Sequence, residues 1–381
     1  MAKPEIRLKG FKGEWENKLL GNLCSVNRGV RVTRKELNNQ GDYPVFQNTD
    51  YPMGFYNQYN VAGNNPFVII GGSAGLIGFS KKELWAADDC VYFGDNAELD
   101  KAYLFNILLK HSSTIKKNVR GSSVPRLDRK VLVGLSISIP SIDEQQGIAD
   151  YFKSLDSMIQ GVTKKIASLK QMKQACLVSM FPQAGETKPR VRFKGFKGEW
   201  GKDKAGNLFM TFNERNRPDL PVLSANQDIR GMAPRTDTGY NISHNKANEV
   251  TYKVVKPGQY VIHLRSFQGG FAHSSVEGIT SPAYTVFGFK DAERHDDYFW
   301  KIIFMSKEFI KSLETITYGI RDGRSISFSE FAEMNFYFPS KEEQQQIASF
   351  FTSLDKQISL QEARLDKLKQ IKAACLDKMF V

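Results

Sequence analysis

The chain has 381 residues, of which 41% are hydrophobic and 25% are charged. This length excludes a single small domain, and the apolar content is that of a globular protein rather than a disordered one. Its 53 Lys and Arg residues exceed its 41 Asp and Glu residues, for a formal net charge of +12. The excess favours a polyanionic partner such as nucleic acid, although a basic surface without such a partner would have the same composition.

The amino-terminal segment lacks the apolar stretch of a signal peptide, and no apolar run reaches the roughly 18 residues that a membrane span requires. Four cysteines, Cys24, Cys90, Cys176 and Cys375, lie far apart and form no Cys-x-x-Cys pair. This spacing argues against a zinc ribbon or a dense disulfide framework. We therefore predict a soluble, cytoplasmic protein with reduced thiols and no membrane partner.

Two segments of the sequence occur twice. Arg7–Trp15 recurs as Arg192–Trp200, and Pro140–Gln146 recurs as Pro339–Gln345 with few changes. An internal repeat of this kind indicates that one structural unit is duplicated. The two halves of the chain share little identity between these paired segments.

The divergent regions are residues 24–138 and 209–337. Both contain short runs of β-forming residues, such as Phe67–Ile70 and Tyr260–Leu264, separated by Gly, Asn and Pro. Each then passes through an apolar stretch typical of a helix before the repeated motif. The chain is therefore predicted to alternate between a mixed domain and a long helix, twice.

A heptad pattern follows each Pro-x-x-x-Glu-Gln-Gln motif, because apolar residues recur at alternating intervals of four and three. The seam consists of Ile148, Phe152, Leu155, Ile159, Val162, Ile166, Leu169, Lys173, Cys176 and Met180 in the first copy, and Ile347, Phe351, Leu354, Ile358, Gln361, Leu365, Leu368, Lys372, Cys375 and Met379 in the second. At about 1.5 Å per residue each helix would be roughly 50–60 Å long, so we predict that the two pack on each other. Lys173 and Lys372 either fix the register or extend into solvent.

The order of a variable domain, Pro-x-x-x-Glu-Gln-Gln-x-Ile-Ala and a long helix, stated twice, resembles the specificity subunit of type I restriction-modification enzymes. The motif copies are Pro140–Ala149 and Pro339–Ala348, and the resemblance covers nearly the whole chain. It implies target recognition domains at residues 1–138 and 190–337, conserved helical regions at 139–182 and 338–381, and a linker at 183–189.

The resemblance implies an α+β fold in which two target recognition domains are separated by two long helices. These helices would pack as an antiparallel coiled coil in a pseudo-twofold internal duplication. Each recognition domain would read one half of a split double-stranded DNA target, and the helices would set the length of the unread spacer.

The same resemblance implies partners. Two methyltransferase subunits would dock on the helices, and restriction subunits, which are the motor and nuclease, would join through them. The chain itself is predicted to be non-catalytic and to hold no cofactor or metal. S-adenosylmethionine, ATP and Mg would bind to the partner subunits.

Candidate DNA contacts divide into basic residues that grip phosphate and polar loop residues that read bases. A basic cluster surrounds Gly121, and it also contains Lys110, Arg129 and Lys130. The predicted contacts are Gln47, Asn48, Thr49, Ser73, Lys116, Lys117, Arg120, Ser122 and Arg126 in the first half, and Arg265, Gln268, His273, Tyr318, Arg321 and Arg324 in the second. The alternative for the basic clusters is a solvated surface, and His263, in an apolar run, is interpreted as a core residue.

A second set of residues is predicted to pair the helices and dock the partner subunits. Its members are Glu144, Gln145, Phe152, Leu155, Ile159, Leu169, Lys173, Glu343, Gln344, Phe351, Leu354, Ile358, Leu368 and Lys372.

No catalytic motif that we recognise is complete in this sequence. Asn64–Phe67 resembles the Asn-Pro-Pro-Phe loop of adenine methyltransferases but lacks its second proline, and no glycine-rich cofactor loop opens a helix nearby. The sequence has no Gly-x-x-x-x-Gly-Lys-Ser/Thr phosphate loop either. Two alternative functions stay open: a coiled-coil scaffold that does not bind DNA, and the specificity module of a related two-part restriction system.

Overall fold

The structure is a computed structural model that describes residues 3–38, 40–183, 185–226, 231–238, 246–263, 270–316 and 326–381. The chain divides into two compact units. Unit 1 is Met1–Lys165 with Gln361–Val381, and unit 2 is Ile166–Leu360. No helix within the described ranges is long and apolar enough to cross a lipid bilayer.

Unit 1 combines mostly antiparallel strands with helices. Its strands are β1 (Glu16–Leu19), β2 (Val26–Arg28), β3 (Tyr43–Phe46), β4 (Gly54–Tyr56), β5 (Asn65–Ile69), β6 (Ile77–Ser80), β7 (Trp85–Ala86), β8 (Cys90–Phe93) and β9 (Ser136–Ile139). Its helices are α1 (Leu20–Leu23), α2 (Lys101–Lys110), α3 (Ser112–Lys117), α4 (Arg129–Val133) and the first part of α5 (Ile142–Ser179). One sheet has the order β2-β8-β5-β6, a second has the order β4-β3-β7, and β1 pairs with β9.

Helix α2 forms the centre of the unit 1 core. It begins at Asp100, whose side chain accepts a hydrogen bond from the Tyr103 backbone N–H at 2.8 Å, the usual way of satisfying a free amide at a helix start. The helix contacts β5 and β6 with its apolar face. Trp15, from the repeated amino-terminal segment, packs against Tyr103 with 6.4 Å between ring centroids. The repeated segment is thus part of the core.

Unit 2 has the same kinds of element. Its strands are β10 (Gly201–Lys204), β11 (Phe209–Phe212), β12 (Leu223–Asn226), β13 (Gly231–Pro234), β14 (Lys253–Val255), β15 (Tyr260–Ile262), β16 (Phe271–His273), β17 (Gly278–Thr280), β18 (Thr285–Phe289) and β19 (Asn335–Phe338). Its helices are α6 (Ala205–Leu208), α7 (Asp297–Phe304), α8 (Lys307–Ile316), α9 (Phe328–Ala332) and the first part of α10 (Lys341–Lys378), with 3-10 turns at Arg235–Thr238, Lys246–Thr251 and Ala292–Arg294. Among the described residues the main sheet has the order β11-β18-β15-β16-β13-β12, and β14-β17 and β10-β19 are separate pairs.

The unit 2 core repeats the construction of unit 1. Helix α7 begins at Asp296, whose side chain accepts a hydrogen bond from the Phe299 backbone N–H at 2.9 Å. Trp200 packs against Phe299 with 5.8 Å between ring centroids, as Trp15 packs against Tyr103. The predicted duplication of an α+β unit is confirmed.

Helices α5 and α10 have 38 residues each, which corresponds to about 57 Å. In unit 1, Tyr151 on α5 contacts Cys375 on α10, with 3.5 Å between Oη and Sγ, and Asp156 pairs with Lys372. Residue numbers therefore rise on one helix as they fall on the other, so the helix segments in this unit pack antiparallel, as predicted.

The unit boundaries pass through both long helices, at residues 165–166 and 360–361. The predicted recognition domains, 1–138 and 190–337, end before these helices begin. Those boundaries, and the linker at 183–189, define regions of sequence and stay a prediction.

Candidate nucleic-acid interface

The buried glutamate of each Glu-Gln-Gln motif forms an ion pair with a half-buried arginine of the repeated segment Arg7–Trp15 or its copy. Arg7 donates from Nε and Nη2 to the two carboxylate oxygens of Glu144, both at 2.7 Å, and from Nη1 to the carbonyl of Gly13, also at 2.7 Å. Arg192 makes the same two-pronged contact with Glu343, both distances being 2.6 Å. These hydrogen bonds raise the pKa of both arginines. Each pair fixes the start of a long helix to the copy of the repeated segment that lies in the same unit.

The following glutamine joins the same helix start to the core. The Gln145 side-chain oxygen accepts from the Asp100 backbone N–H at 3.0 Å, and its nitrogen donates to the Pro140 carbonyl at 3.0 Å. Gln344 accepts from the Asp296 backbone N–H, also at 3.0 Å. Both contacts end at the residue that caps the central helix of the unit, so the motif sets the angle between that helix and the long one.

These contacts correct part of the prediction of which residues pair the helices and dock the partner subunits. The structure leaves only 0–1% of each of these side chains exposed: Glu144, Gln145, Glu343 and Gln344. Side chains so buried cannot contact another subunit. The predicted docking role is wrong for these four, because their polar groups are already satisfied within one unit.

The seam residues lie where the heptad pattern predicts them. In unit 1, Phe152 and Leu155 are buried in the core, with Ile159 and Leu368 half-buried. In unit 2, the buried seam residues include Leu169, Phe351, Leu354 and Ile358. The apolar seam therefore pairs the helices inside each unit.

The two seam lysines form equivalent ion pairs across the helix pair. Lys173 pairs with Asp355 inside unit 2, and Lys372 pairs with Asp156 inside unit 1. Asp156 and Asp355 occupy equivalent positions in the sequence repeat, as do the lysines. Such pairs form only when the helices are aligned in one register, so they favour the register-fixing alternative over a lysine that extends into solvent.

The candidate DNA contacts of unit 1 come together on one surface. The Ser73 backbone N–H donates to the Asn48 carbonyl at 2.9 Å, and the Arg120 and Arg126 backbones exchange two hydrogen bonds of 2.8 Å. The Gly75 backbone lies against the Lys116 side chain. We call this the unit 1 basic surface, and it contains Gln47, Asn48, Thr49, Ser73, Lys116, Lys117, Arg120, Ser122 and Arg126, all exposed or half-buried.

One basic residue of this surface escaped the sequence analysis. Arg28, at the end of β2, donates from Nε to the Asp88 carbonyl at 2.5 Å, and its Nη2 lies 3.9 Å from Asp89 Oδ1. Arg126 Nη1 lies 3.1 Å from the same Asp89 oxygen. The two arginines are distant in sequence, and only the pairing of β2, β8 and β5 brings them together, so no local pattern could have identified Arg28.

In unit 2, most of the predicted contacts cannot be placed. The residues that lie outside the described ranges are Arg265, Gln268, Tyr318, Arg321 and Arg324. His273 is described and is 3% exposed. Its Nε2 lies 2.6 Å from Asp297 Oδ2, so the structure does not support His273 as a base reader.

Asp297 is half-buried at the start of α7. Burial acts to raise its pKa, but the hydrogen bond and charge of His273 outweigh burial, and the pKa of Asp297 is lowered. Its backbone carbonyl accepts from Tyr260 Oη at 2.6 Å. The His273–Asp297 pair therefore links β16 to the start of α7 rather than facing a ligand.

Comparison with known proteins gives the family. The model of the type I restriction modification DNA specificity domain matches residues 12–171 and again residues 198–370. The MjaVIII type I restriction enzyme specificity subunit of Methanocaldococcus jannaschii is 23% identical over 395 residues, which cover 94% of this chain and 90% of that protein.

Two solved structures share the fold. The S subunit of a type I restriction-modification system from M. genitalium matches with a TM-score of 0.68 and 16% identity, over 100% of this chain and 99% of that one. A chain from a structural study of complex assembly in the type I system matches with a TM-score of 0.52 and 13% identity, over 97% and 98% of the two chains. Since the family model covers most of the sequence in two copies, the chain belongs to the family of type I restriction-modification DNA specificity subunits.

Proposed function

We propose that the chain reads a bipartite double-stranded DNA target, one half with each of its recognition domains, within a type I restriction-modification complex. The unit 1 basic surface is the single observation that carries this proposal. It joins exposed cations, which suit phosphate, to the short polar loop at Gln47–Thr49, which suits base edges. A scaffold that never meets DNA would leave this surface without a role.

In this proposal two methyltransferase subunits dock on the long helices, and restriction subunits join through them. Two exposed apolar side chains support the docking surface. Met172 on α5 is 44% exposed and Ile371 on α10 is 37% exposed, at equivalent positions of the repeat. Apolar groups that stay exposed at matching places suit two copies of one partner.

The chemistry then belongs to the partners. S-adenosylmethionine, ATP and Mg would bind there, and the chain would contribute recognition and spacing without catalysis. Because α5 and α10 are continuous, their length would determine the unread spacer of the target. A related two-part restriction system would use the same chain with differently organised catalytic subunits, and sequencing the neighbouring genes distinguishes that alternative.

DNA binding should depend steeply on salt. For the full chain with its methyltransferase subunits, we expect the log of affinity for duplex DNA to fall linearly with log salt, by about 0.9 per phosphate contact. Replacing Lys116, Lys117 and Arg120 with Gln should reduce that slope by up to about 3, because up to three contacts are lost. Methyltransferase binding should persist, since these residues are not part of the long helices on which the methyltransferase subunits are proposed to dock.

Titration of labelled duplex at several salt concentrations measures this slope. Affinity that is independent of salt would contradict the proposal. So would a chain that binds methyltransferase subunits but has no affinity for duplex DNA, and that result would favour the scaffold.

A further inference from the structure

A pocket with three arginines in its wall lies at the edge of the unit 1 basic surface. Its volume is about 380 Å³, and its lining residues are Arg28, Ile70, Arg126, Leu127, Asp128 and Arg129. The side chains of Arg28 and Arg126 are 52% and 59% exposed. The pocket is therefore open to a ligand in solution.

Backbone pairing builds the floor of this pocket. The Leu127 backbone N–H donates to the Ile70 carbonyl, and the Ile70 N–H donates to the Asp89 carbonyl, both at 2.8 Å. Gly71 leaves room for the Asp89 side chain, because a Cβ there would lie 2.5 Å from the carboxylate carbon. The Asp89 carboxylate, whose side chain is 16% exposed, is thereby held beneath the two more exposed arginines.

The arginines converge on one point. Arg28 Nη2 and Arg126 Nη1 lie 3.9 Å and 3.1 Å from the same oxygen, Asp89 Oδ1. Arg129 lies alongside and donates from Nη1 to the Val26 carbonyl at 3.1 Å. A guanidinium group carries five N–H donors, so these contacts use only a minority of the donors in the pocket wall.

Two other carboxylates lie near the pocket, and each has its own partner. Asp128 accepts a hydrogen bond from the Lys130 backbone N–H at 2.8 Å, as the cap of α4. Asp88 accepts one from the Gln47 side chain at 3.3 Å. Among the described residues, Asp89 is the carboxylate that contacts both Arg28 and Arg126, and it offers them one oxygen, Oδ1.

We propose that this pocket binds one phosphate group of the DNA backbone, with Arg28 and Arg126 as its ligands. Asp89 Oδ1 lies near one nitrogen of each guanidinium group, and a phosphate has enough acceptor oxygens for the N–H donors that remain on both. A guanine edge offers one pair of acceptors, which a single arginine satisfies. The inference rests on the proposed function and adds Arg28 to the DNA contacts.

The test uses the full chain with its methyltransferase subunits and compares Arg28→Gln, Arg126→Gln and Lys82→Gln. Each change removes one positive charge. Lys82 is the control because it lies at the opposite end of β5 from the pocket. It follows Ser80, which pairs with Asn65 at the start of β5, whereas the pocket residue Ile70 comes just after the end of that strand. Each arginine variant should bind duplex DNA about tenfold more weakly or worse, with the salt slope reduced by about 0.9. Lys82→Gln should change affinity less than twofold.

A phosphate contact should weaken target and non-target duplexes by the same factor, because phosphates carry no sequence information. Arg28→Lys should keep the wild-type salt slope, since the charge remains, while affinity is only partly recovered. Duplexes with one neutral methylphosphonate identify the contact directly. When the methylphosphonate replaces the contacted phosphate, the wild type should lose affinity. The Arg28→Gln variant should bind that duplex as it binds the unmodified one, because its contact is already absent.

Three results would overturn the inference. If the arginine variants bind duplex DNA with the same affinity as Lys82→Gln while the wild type binds it, the pocket does not hold a phosphate. The proposed function would be unaffected by that result. Loss of discrimination at one base pair with an unchanged salt slope would make the contact a base contact. A wild-type complex that has no affinity for duplex DNA would defeat both proposals. Thermal unfolding of each variant verifies that the fold is intact.

Discussion

Replacing Glu343 with Gln is expected to lower the free energy of unfolding by about 3–5 kcal/mol. The side chains of Glu343 and Arg192 are 1% and 17% exposed, and they share two hydrogen bonds of 2.6 Å. Removing the carboxylate charge leaves a half-buried guanidinium group without its counter-ion, which is more destabilising than losing an exposed ion pair. Urea unfolding followed by tryptophan fluorescence measures the change.

The neighbouring residue supplies the control for this prediction. Glu342 is exposed, so Glu342→Gln should leave the unfolding midpoint almost unchanged. Glu144→Gln should destabilise unit 1 as Glu343→Gln destabilises unit 2, because Arg7 makes the same contact there. Equal stability of Glu343→Gln and Glu342→Gln would show that the ion pair does not hold the helix start.

Replacing Phe152 with Ala should lower the free energy of unfolding by about 3–5 kcal/mol. Phe152 is 1% exposed in the unit 1 core and stacks on Phe380 with 5.8 Å between ring centroids. The truncation leaves a cavity between two segments that are far apart in sequence, and neither can move to fill it without breaking other contacts. Phe351→Ala, its counterpart in unit 2, should cost about the same.

Met158→Ala on the same helix is the control for Phe152→Ala. Met158 is 40% exposed, and shortening an exposed side chain changes stability by only about 0.5 kcal/mol. Calorimetry or urea unfolding of both variants gives the comparison. A Phe152→Ala variant as stable as Met158→Ala would mean that the seam does not pack as described.

The long helices could be predicted because their periodicity is local. Alternating intervals of four and three residues place Phe152, Leu155, Phe351 and Leu354 on one face whatever surrounds them, and the repeat shows that both copies share that face. The antiparallel pairing follows from the same repeat, and the structure adds the Lys173–Asp355 and Lys372–Asp156 pairs that align it.

The roles of the polar motif residues could not be predicted, because their partners are distant in sequence. Arg7 lies 137 residues before Glu144, and nothing near either residue indicates that they meet. A repeated arginine and a repeated glutamate are the only signal, and that signal also fits a docking surface. Burial distinguishes an internal ion pair from a docking surface, and burial is a property of the folded unit.

That some of the candidate residues lie on one surface could be predicted, while their contact with DNA stays a prediction. Exposed basic residues close to one another in sequence, such as Lys116, Lys117 and Arg120, do share a surface with Asn48 and Ser73. The prediction for His273 failed because a histidine close to a glycine pair looks the same in sequence whether its ring faces solvent or, as here, the half-buried Asp297.

Mapping methylated adenines in DNA from cells that carry this chain with its methyltransferase tests the central claim most directly. A reader with two recognition domains predicts methylation at a motif of two specified parts separated by an unspecified spacer of fixed length. Exchanging residues 24–138 for those of a relative should change one part and leave the other part unchanged. A single uninterrupted motif, or methylation that persists when the chain is deleted, would contradict the account.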